Sequence, residues 1–165
     1  MTPRLLALLA LLAAAPAAAQ PLPEPARAYL GDWRAVDDES GEARAVIRLY
    51  EEDGQLYGRI VQVLPTRRDP SPNFGCRSCA GEFAGADLRE VPILRELEWR
   101  GDEFAGGHVY DPRSGRRYRA SLALDEAGRL RVRGYVGLRA LGRTQVWERV
   151  EPASAHASAT VADPR

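Results

Sequence analysis

Two neighbouring stretches in which apolar residues recur at every second position restrict the fold of this chain most strongly. They cover residues 116–124 and 130–136, and the five residues between them are typical of a turn. One antiparallel register places apolar or small residues of both strands opposite each other: Leu124 with Leu130, Leu122 with Val132, and Ala120 with Gly134. Because side chains alternate with a period of two along a strand, the apolar faces of both strands then coincide. The pattern predicts a hairpin with one buried face and one polar face.

Short stretches of similar character recur along the rest of the chain. They lie at residues 33–36, 44–50, 55–64, 103–110 and 144–150. Residues 88–99 fit both a helical and a strand pattern, but Pro92 argues against an uninterrupted helix, so we expect one strand or two short ones. About eight short strands with few helices predict an all-β fold. We expect a single antiparallel meander that closes into a small β-barrel, since closure removes exposed strand edges.

The first 19 residues have the features of a cleaved signal peptide. Arg4 precedes an apolar stretch at residues 5–15, and Ala17-Ala18-Ala19 supplies the small residues of a cleavage site. The apolar stretch is shorter than the roughly 20 residues that span a bilayer, so no stable membrane anchor is expected. We therefore predict a periplasmic or secreted protein that is cleaved after Ala19.

The predicted domain occupies residues 29–150 and is flanked by segments of different composition. Residues 20–28 form a proline-rich lead-in, and residues 151–165 lack apolar periodicity, which predicts a disordered tail. The full chain has 23 basic and 23 acidic residues, and all of the basic ones are arginines. This balance argues against nucleic acid as a partner.

The longest irregular stretch, at residues 65–87, contains both cysteines of the chain, Cys76 and Cys79. In an exported protein such a pair predicts a disulfide, which would pin this loop. A redox pair would need a thiolate at a helix N-terminus within a βαβ unit, and zinc would need two further ligands. The disulfide is therefore favoured, and no metal or cofactor is predicted. Asp69 and Asn73 lie in the same loop, where they either bind a ligand or hold the loop through hydrogen bonds to its backbone.

The hairpin register also aligns three arginines, Arg119, Arg131 and Arg133, on the face opposite the apolar one. They either form the solvent face of the barrel or, if they meet a cleft, hold an anionic ligand or the carboxylates of a partner. His108 is the one histidine inside the predicted domain. A surface or cross-strand position is favoured for it over a role as general base, so a Ser-His-Asp or Cys-His arrangement is not expected.

Several segments together resemble a bacterial exported family known as domain of unknown function 2147. The matching segments are Gly31-Asp32-Trp33, Leu56-Tyr57-Gly58-Arg59-Ile60-Val61, Asp69 and Asn73 ahead of Cys76-x-x-Cys79, Gly106-Gly107-x-x-x-Asp111-Pro112-x-x-Gly115-x-x-Tyr118, Leu130-x-Val132-Arg133-Gly134-Tyr135-Val136-Gly137, and Leu141-Gly142-Arg143-Thr144-Gln145-x-Trp147-x-Arg149. The resemblance spans residues 29–150. It implies a fold and a location but no activity, so it transfers no catalytic residue.

The last two matching segments contain polar residues that the packing of apolar strands would not require. These are Arg133, Tyr135, Arg143 and Gln145. Together with Asp69 and Asn73 they are the candidate binding residues.

A second, fainter resemblance is to lipocalin-type barrels. Those barrels pair an N-terminal Gly-x-Trp with an arginine of the last strand, whose guanidinium stacks on the indole and closes the barrel bottom. Gly31-x-Trp33 and Arg149, or alternatively Arg143, occur in this order here. The resemblance implies a lipocalin-like barrel in which Trp33, Trp147 and Arg149 are structural.

The leading functional hypothesis is an exported small β-barrel, expected to be a monomer, that binds a small molecule or a cell-envelope protein without catalysis. Barrels of about eight strands are either filled by side chains or hold one small ligand. One alternative is a periplasmic enzyme that uses Asp69, Arg133 and Arg143. Another is an interaction module of the cell envelope with a filled barrel.

Overall fold

The computed structural model describes residues 20–68, 70, 72, 74–75, 79, 81–112 and 115–151. In this part of the chain, eight antiparallel strands follow one another around a closed barrel, and the last pairs with the first. The strands are β1 Gly31–Val36, β2 Ala43–Glu52, β3 Gln55–Val63, β4 Leu94–Trp99, β5 Phe104–Asp111, β6 Arg116–Leu124, β7 Leu130–Tyr135 and β8 Arg143–Arg149. The predicted all-β meander that closes into a barrel is confirmed.

The β6–β7 hairpin has the register that the alternation predicts. Leu124 pairs with Leu130, and Ala120 pairs with Gly134. The side chains of Ala120, Leu122 and Leu130 are fully buried inside the barrel. The arginines of the opposite face therefore point away from the barrel interior.

Two predicted segments differ from the structure. Residues 88–93 form turns and bends, so the strand predicted at residues 88–99 begins only at Leu94. The lead-in contains one helical turn, α1 (Glu24–Arg27), with a proline at its start. Leu22 and Ala26 are buried against the barrel because this turn covers one end of it. Leu22 and Ala26 of the lead-in thus belong to the core.

Several sequence predictions concern residues that the structure does not describe. The signal peptide at residues 1–19 and all but the first residue of the predicted tail lie outside the described residues. Cys76 also lies outside them, while Cys79 is buried, so the disulfide stays a prediction. No helix among the described residues is long and apolar enough to cross a bilayer.

Trp33 and Arg149 close one end of the barrel, which we call the closed end. The Arg149 guanidinium carbon lies 4.2 Å from the centre of the Trp33 ring, and the indole is fully buried. Arg149 donates hydrogen bonds to the carbonyl oxygens of Leu30, at 3.1 Å, and Ala28. The indole Nε1 donates to the Tyr29 carbonyl oxygen at 2.8 Å. This cluster ties the first strand, the last strand and the lead-in together.

The closed half of the barrel is filled by large side chains. Tyr29, Trp99 and Phe104 contact one another edge to face, with ring centres 5.1–5.6 Å apart. The Tyr29 hydroxyl donates to the Asp102 carbonyl oxygen at 2.9 Å and accepts from the Leu124 amide at 3.2 Å. Six leucines of the barrel interior are also fully buried: Leu49, Leu56, Leu94, Leu97, Leu122 and Leu130. Among the described residues, large buried side chains thus occupy the closed half of the barrel.

Replacing Arg149 with methionine is expected to lower the free energy of unfolding by about 1–2 kcal/mol, because a cation–π contact and charged hydrogen bonds are lost. Urea denaturation of residues 20–165 measures this loss. The control is Arg131→Met, since Arg131 is exposed on the outer face of β7. Equal losses in both variants would contradict a closing role for Arg149.

Candidate functional site

A cavity of about 750 Å³ occupies the other half of the barrel, which we call the open end. The β1–β2, β3–β4, β5–β6 and β7–β8 connections surround it, because alternate turns of a meander lie at the same end. Its wall is mostly apolar and includes Ala45, Ile47, Ile60, Val63, Val132 and Trp147. This combination of an apolar wall and one open end is typical of a small-molecule pocket.

Gly134 helps to keep the cavity open. A Cβ at this position would lie 3.4 Å from Val109 Cγ1 and 3.6 Å from Tyr118 Cβ, in ordinary contact. Because glycine has no side chain, the space in front of β7 stays empty. Trp147 lines the same wall, and its Nε1 donates to Gln145 Oε1 at 3.2 Å. The polar edge of the indole is thereby satisfied.

Ion pairs surround the mouth of the cavity. Arg143, the first residue of β8, donates from Nε to Asp38 Oδ2 at 2.9 Å and from a terminal nitrogen to Glu39 Oε1 at 2.8 Å. The hydrogen bonds to Glu39 and Asp38 raise the pKa of Arg143. This contact joins the start of β8 to the β1–β2 turn. We call it the mouth latch.

A second pair lies deeper, beside the mouth latch. Arg44 contacts Asp37 at 2.7 Å, and the Asp37 side chain is only 10% exposed. The Ser40 amide and hydroxyl both donate to Asp37 Oδ1. These hydrogen bonds and the Arg44 charge lower the pKa of Asp37. Arg44 Nε is buried and has no hydrogen-bond partner among the described residues.

The mouth carries no surplus of positive charge from these groups. Arg44 and Arg143 face the carboxylates of Asp37, Asp38 and Glu39. Two cations against three anions do not favour a small anion as the main ligand. Among the described residues, no group of His, Cys, Asp and Glu is arranged to hold a metal ion.

The family model for "Uncharacterized protein conserved in bacteria (DUF2147)" matches residues 31–149. The chain belongs to this DUF2147 family. No curated protein matches the chain significantly. Among solved structures, it is similar to protein HP1028 from the human pathogen Helicobacter pylori, which is described as belonging to the lipocalin family. The match has 18% identity and a TM-score of 0.63, and it covers 74% of this chain and 82% of that chain. At this identity the likeness establishes the lipocalin-like fold alone.

In this member of the DUF2147 family, the candidate residues of the last two strands divide between the two faces of the barrel. Arg143 and Gln145 line the cavity, because they share a face with the buried Trp147. Arg133 and Tyr135 lie on the outer face, because Val132 and Gly134 point inward. Asp69 and Asn73 lie outside the described residues, so their role stays a prediction.

Arg133 stabilises the β7–β8 connection and does not line the cavity. Its guanidinium donates to the carbonyl oxygens of Arg139 and Ala140, both at 2.8 Å, and to Thr144 Oγ1 at 2.7 Å. These three hydrogen bonds join Arg133 to residues 139–144 of the DUF2147 chain. Since Arg133 and Arg143 lie on opposite faces of the sheet, the structure does not bring them together as the enzyme alternative requires.

The sequence interpretation missed Arg44, Asp37, Asp38 and Glu39. The three acids precede a glycine, Gly41, and their composition resembles a solvated turn. Their position at the mouth depends on the register shift between Ala35 and Val36, which sequence alternation does not reveal. His108 does not line the cavity, and its Nδ1 lies 3.9 Å from Glu96 on β4.

The lowered pKa of Asp37 predicts a pH-dependent contribution to stability. A carboxyl group whose pKa is lower in the folded state stabilises the fold above its ordinary pKa of 3.8 and loses this effect as pH falls further. We expect Asp37→Asn to lower the melting temperature at pH 7 by roughly 3 °C, with the difference shrinking between pH 4 and pH 2. Thermal unfolding followed by circular dichroism at several pH values tests this.

The matched control for this experiment is Asp38→Asn, because Asp38 is 34% exposed and contacts only the mouth latch. It should change the melting temperature less than Asp37→Asn at pH 7. A difference for Asp37→Asn that stays constant down to pH 2 would contradict the assigned role of the carboxylate.

Proposed function

We propose that this protein binds one small, largely apolar molecule in the open half of its barrel and does not catalyse a reaction. The cavity of about 750 Å³ carries this proposal. Pockets that hold drug-sized molecules have volumes of roughly 300–1,000 Å³ and mostly apolar walls with a few polar groups. The apolar wall around Ile47, Ile60 and Val132 supports an apolar ligand body.

The polar groups of the mouth would then orient the exposed end of the ligand. Gln145 keeps its amide nitrogen for a ligand acceptor while its oxygen accepts from Trp147. Tyr118 and Arg143 also line the cavity close to its opening. Such groups select a ligand that has an apolar body and one polar end.

Ligand entry requires only a small opening of the mouth latch. The Arg143 side chain is 62% exposed, and that of Glu39 is 70% exposed. Ion pairs between exposed side chains contribute only about 0–1 kcal/mol, so thermal motion breaks them readily. The mouth latch would therefore cover the ligand without preventing its exchange.

The half-filled interior favours this function over an interaction module with a filled barrel. The signal-peptide pattern further supports the proposal that binding takes place in the periplasm or outside the cell. Native mass spectrometry of protein purified from its own cell envelope would identify a ligand that copurifies with it. If every preparation instead had the mass of the polypeptide alone, this result would contradict a ligand that stays bound during purification.

Filling the cavity should abolish binding without unfolding the barrel. Ala45 lines the cavity, so Ala45→Phe places an aromatic ring inside it. We expect N-phenyl-1-naphthylamine, a neutral fluorescent apolar probe, to bind this variant at least about tenfold more weakly, a loss of about 1.4 kcal/mol. Fluorescence titration of residues 20–165 measures the dissociation constants.

The matched control is Val146→Phe, which adds the same ring on the outer face of β8, where Val146 is exposed. Circular dichroism spectra should show that both variants keep the β-barrel. Equal probe affinities for the two variants, or no saturable binding by the unchanged protein, would refute the cavity as the binding site.

A further inference from the structure

The β7–β8 connector, residues 136–142, exposes three large aliphatic side chains. Val136 is 74% exposed, Leu138 is 70% exposed and Leu141 is 81% exposed. Among the described residues, the one other large apolar side chain exposed to a third or more is Val146, on the neighbouring strand β8. Exposed apolar residues are thus concentrated in one short segment, and such a concentration marks an interaction site.

The connector is held in a defined conformation, so this exposure is not the result of a loose loop. Arg133 donates two hydrogen bonds to its carbonyl oxygens, as described above. Arg139 forms an ion pair with Glu103 across the outer wall. At Gly142, a Cβ would lie 2.7 Å from the Gly134 carbonyl oxygen, so the connector backbone packs directly on β7. The aliphatic side chains are therefore presented outward from a fixed backbone.

The strands beside the connector, β6 and β7, are rich in arginine, although the whole chain is neutral. Residues 112–147 contain nine arginines and only two acidic residues, Asp125 and Glu126, which lie in the turn at the closed end. On the outer face of β6 and β7, Arg117, Arg119 and Arg131 are exposed. None of these three forms an ion pair with another described residue. Their charge is available to a partner.

We propose that the connector and these three arginines dock the barrel onto an anionic lipid bilayer surface. Aliphatic side chains of a fixed loop can enter the boundary between headgroups and acyl chains, as those of interfacial helices do. Guanidinium groups bind phosphate oxygens in a forked, charge-assisted geometry. Basic side chains near an anionic bilayer each add to the attraction, and the effect is screened by salt.

A bilayer fits this surface better than a protein partner does. Three aliphatic side chains cannot supply the roughly 800 Å² that each partner buries in a stable protein interface. Binding to lipid has no such minimum, because weak apolar insertion and weak electrostatic attraction add together. The connector leads directly into Arg143, which lines the cavity mouth, so the docking surface adjoins the cavity.

Sedimentation with lipid vesicles tests the proposal. Residues 20–165 contain the whole closed barrel and lack the apolar stretch at residues 5–15, which could bind lipid by itself. We expect this chain to cosediment with vesicles of equal parts phosphatidylglycerol and phosphatidylcholine. It should bind pure phosphatidylcholine vesicles at least about tenfold more weakly. We also expect 0.5 M NaCl to release it from the anionic vesicles, because the Debye length is then below about 5 Å.

Two double variants separate the apolar and the electrostatic parts. Leu138→Ser with Leu141→Ser should reduce the partition coefficient by at least about tenfold by removing the inserted side chains. Arg119→Gln with Arg131→Gln should cause a similar loss. The control is Arg59→Gln with Arg67→Gln, which removes the same charge from exposed residues on the other side of the barrel and should change binding little.

Three results would overturn the proposal. The first is no binding to anionic vesicles, and the second is binding that neither test variant weakens more than the control. The third is a dimer, seen by sedimentation velocity without lipid, that dissociates in the Leu138→Ser and Leu141→Ser variant. That last result would assign the connector to self-association instead.

Discussion

The pairing of the last strand with the first is the interaction on which the rest of this structure depends. Closure removes both sheet edges, and the Trp33–Arg149 stack stabilises it at the point where β1 and β8 meet. Because Arg149 also binds carbonyl oxygens of the lead-in, the same contact fixes α1 beneath the barrel. With one end closed in this way, the cavity among the described residues lies at the opposite end of the barrel.

Side-chain size then divides the interior into a filled half and a hollow half. Leucines and aromatic residues fill the closed half, where Trp33 and Phe104 are fully buried. Smaller residues such as Ala45 and Gly134 lie around the open half, so the facing strands leave a cavity. The proposed binding function follows from this gradient in size. The ion pairs of Arg143 and Arg44 limit access to the cavity without adding net positive charge.

Acidic and basic residues are also distributed unevenly around the barrel. Residues 31–111 contain 17 of the 23 acidic residues, whereas β6, β7 and their connections are rich in arginine. A neutral chain therefore has a basic side, and the aliphatic connector lies on it. The cavity and the basic side meet at Arg143. Binding of a small molecule and docking to lipid would consequently involve neighbouring surfaces of the protein, although each rests on its own residues.

Local patterns in the sequence were enough to determine the β6–β7 hairpin, because alternation and turn residues restrict a hairpin to one register. The barrel fold, the family and the order of Gly31-x-Trp33 before Arg149 could also be predicted from the sequence. Only the tertiary structure decided which candidate residues share a site. Arg133 and Arg143 are ten residues apart and similar in chemistry, yet one faces outward and the other lines the cavity. At a strand end, the face of the sheet on which a side chain lies depends on connector length and on register shifts. Contacts between distant strands determine these two features, and neighbouring residues do not.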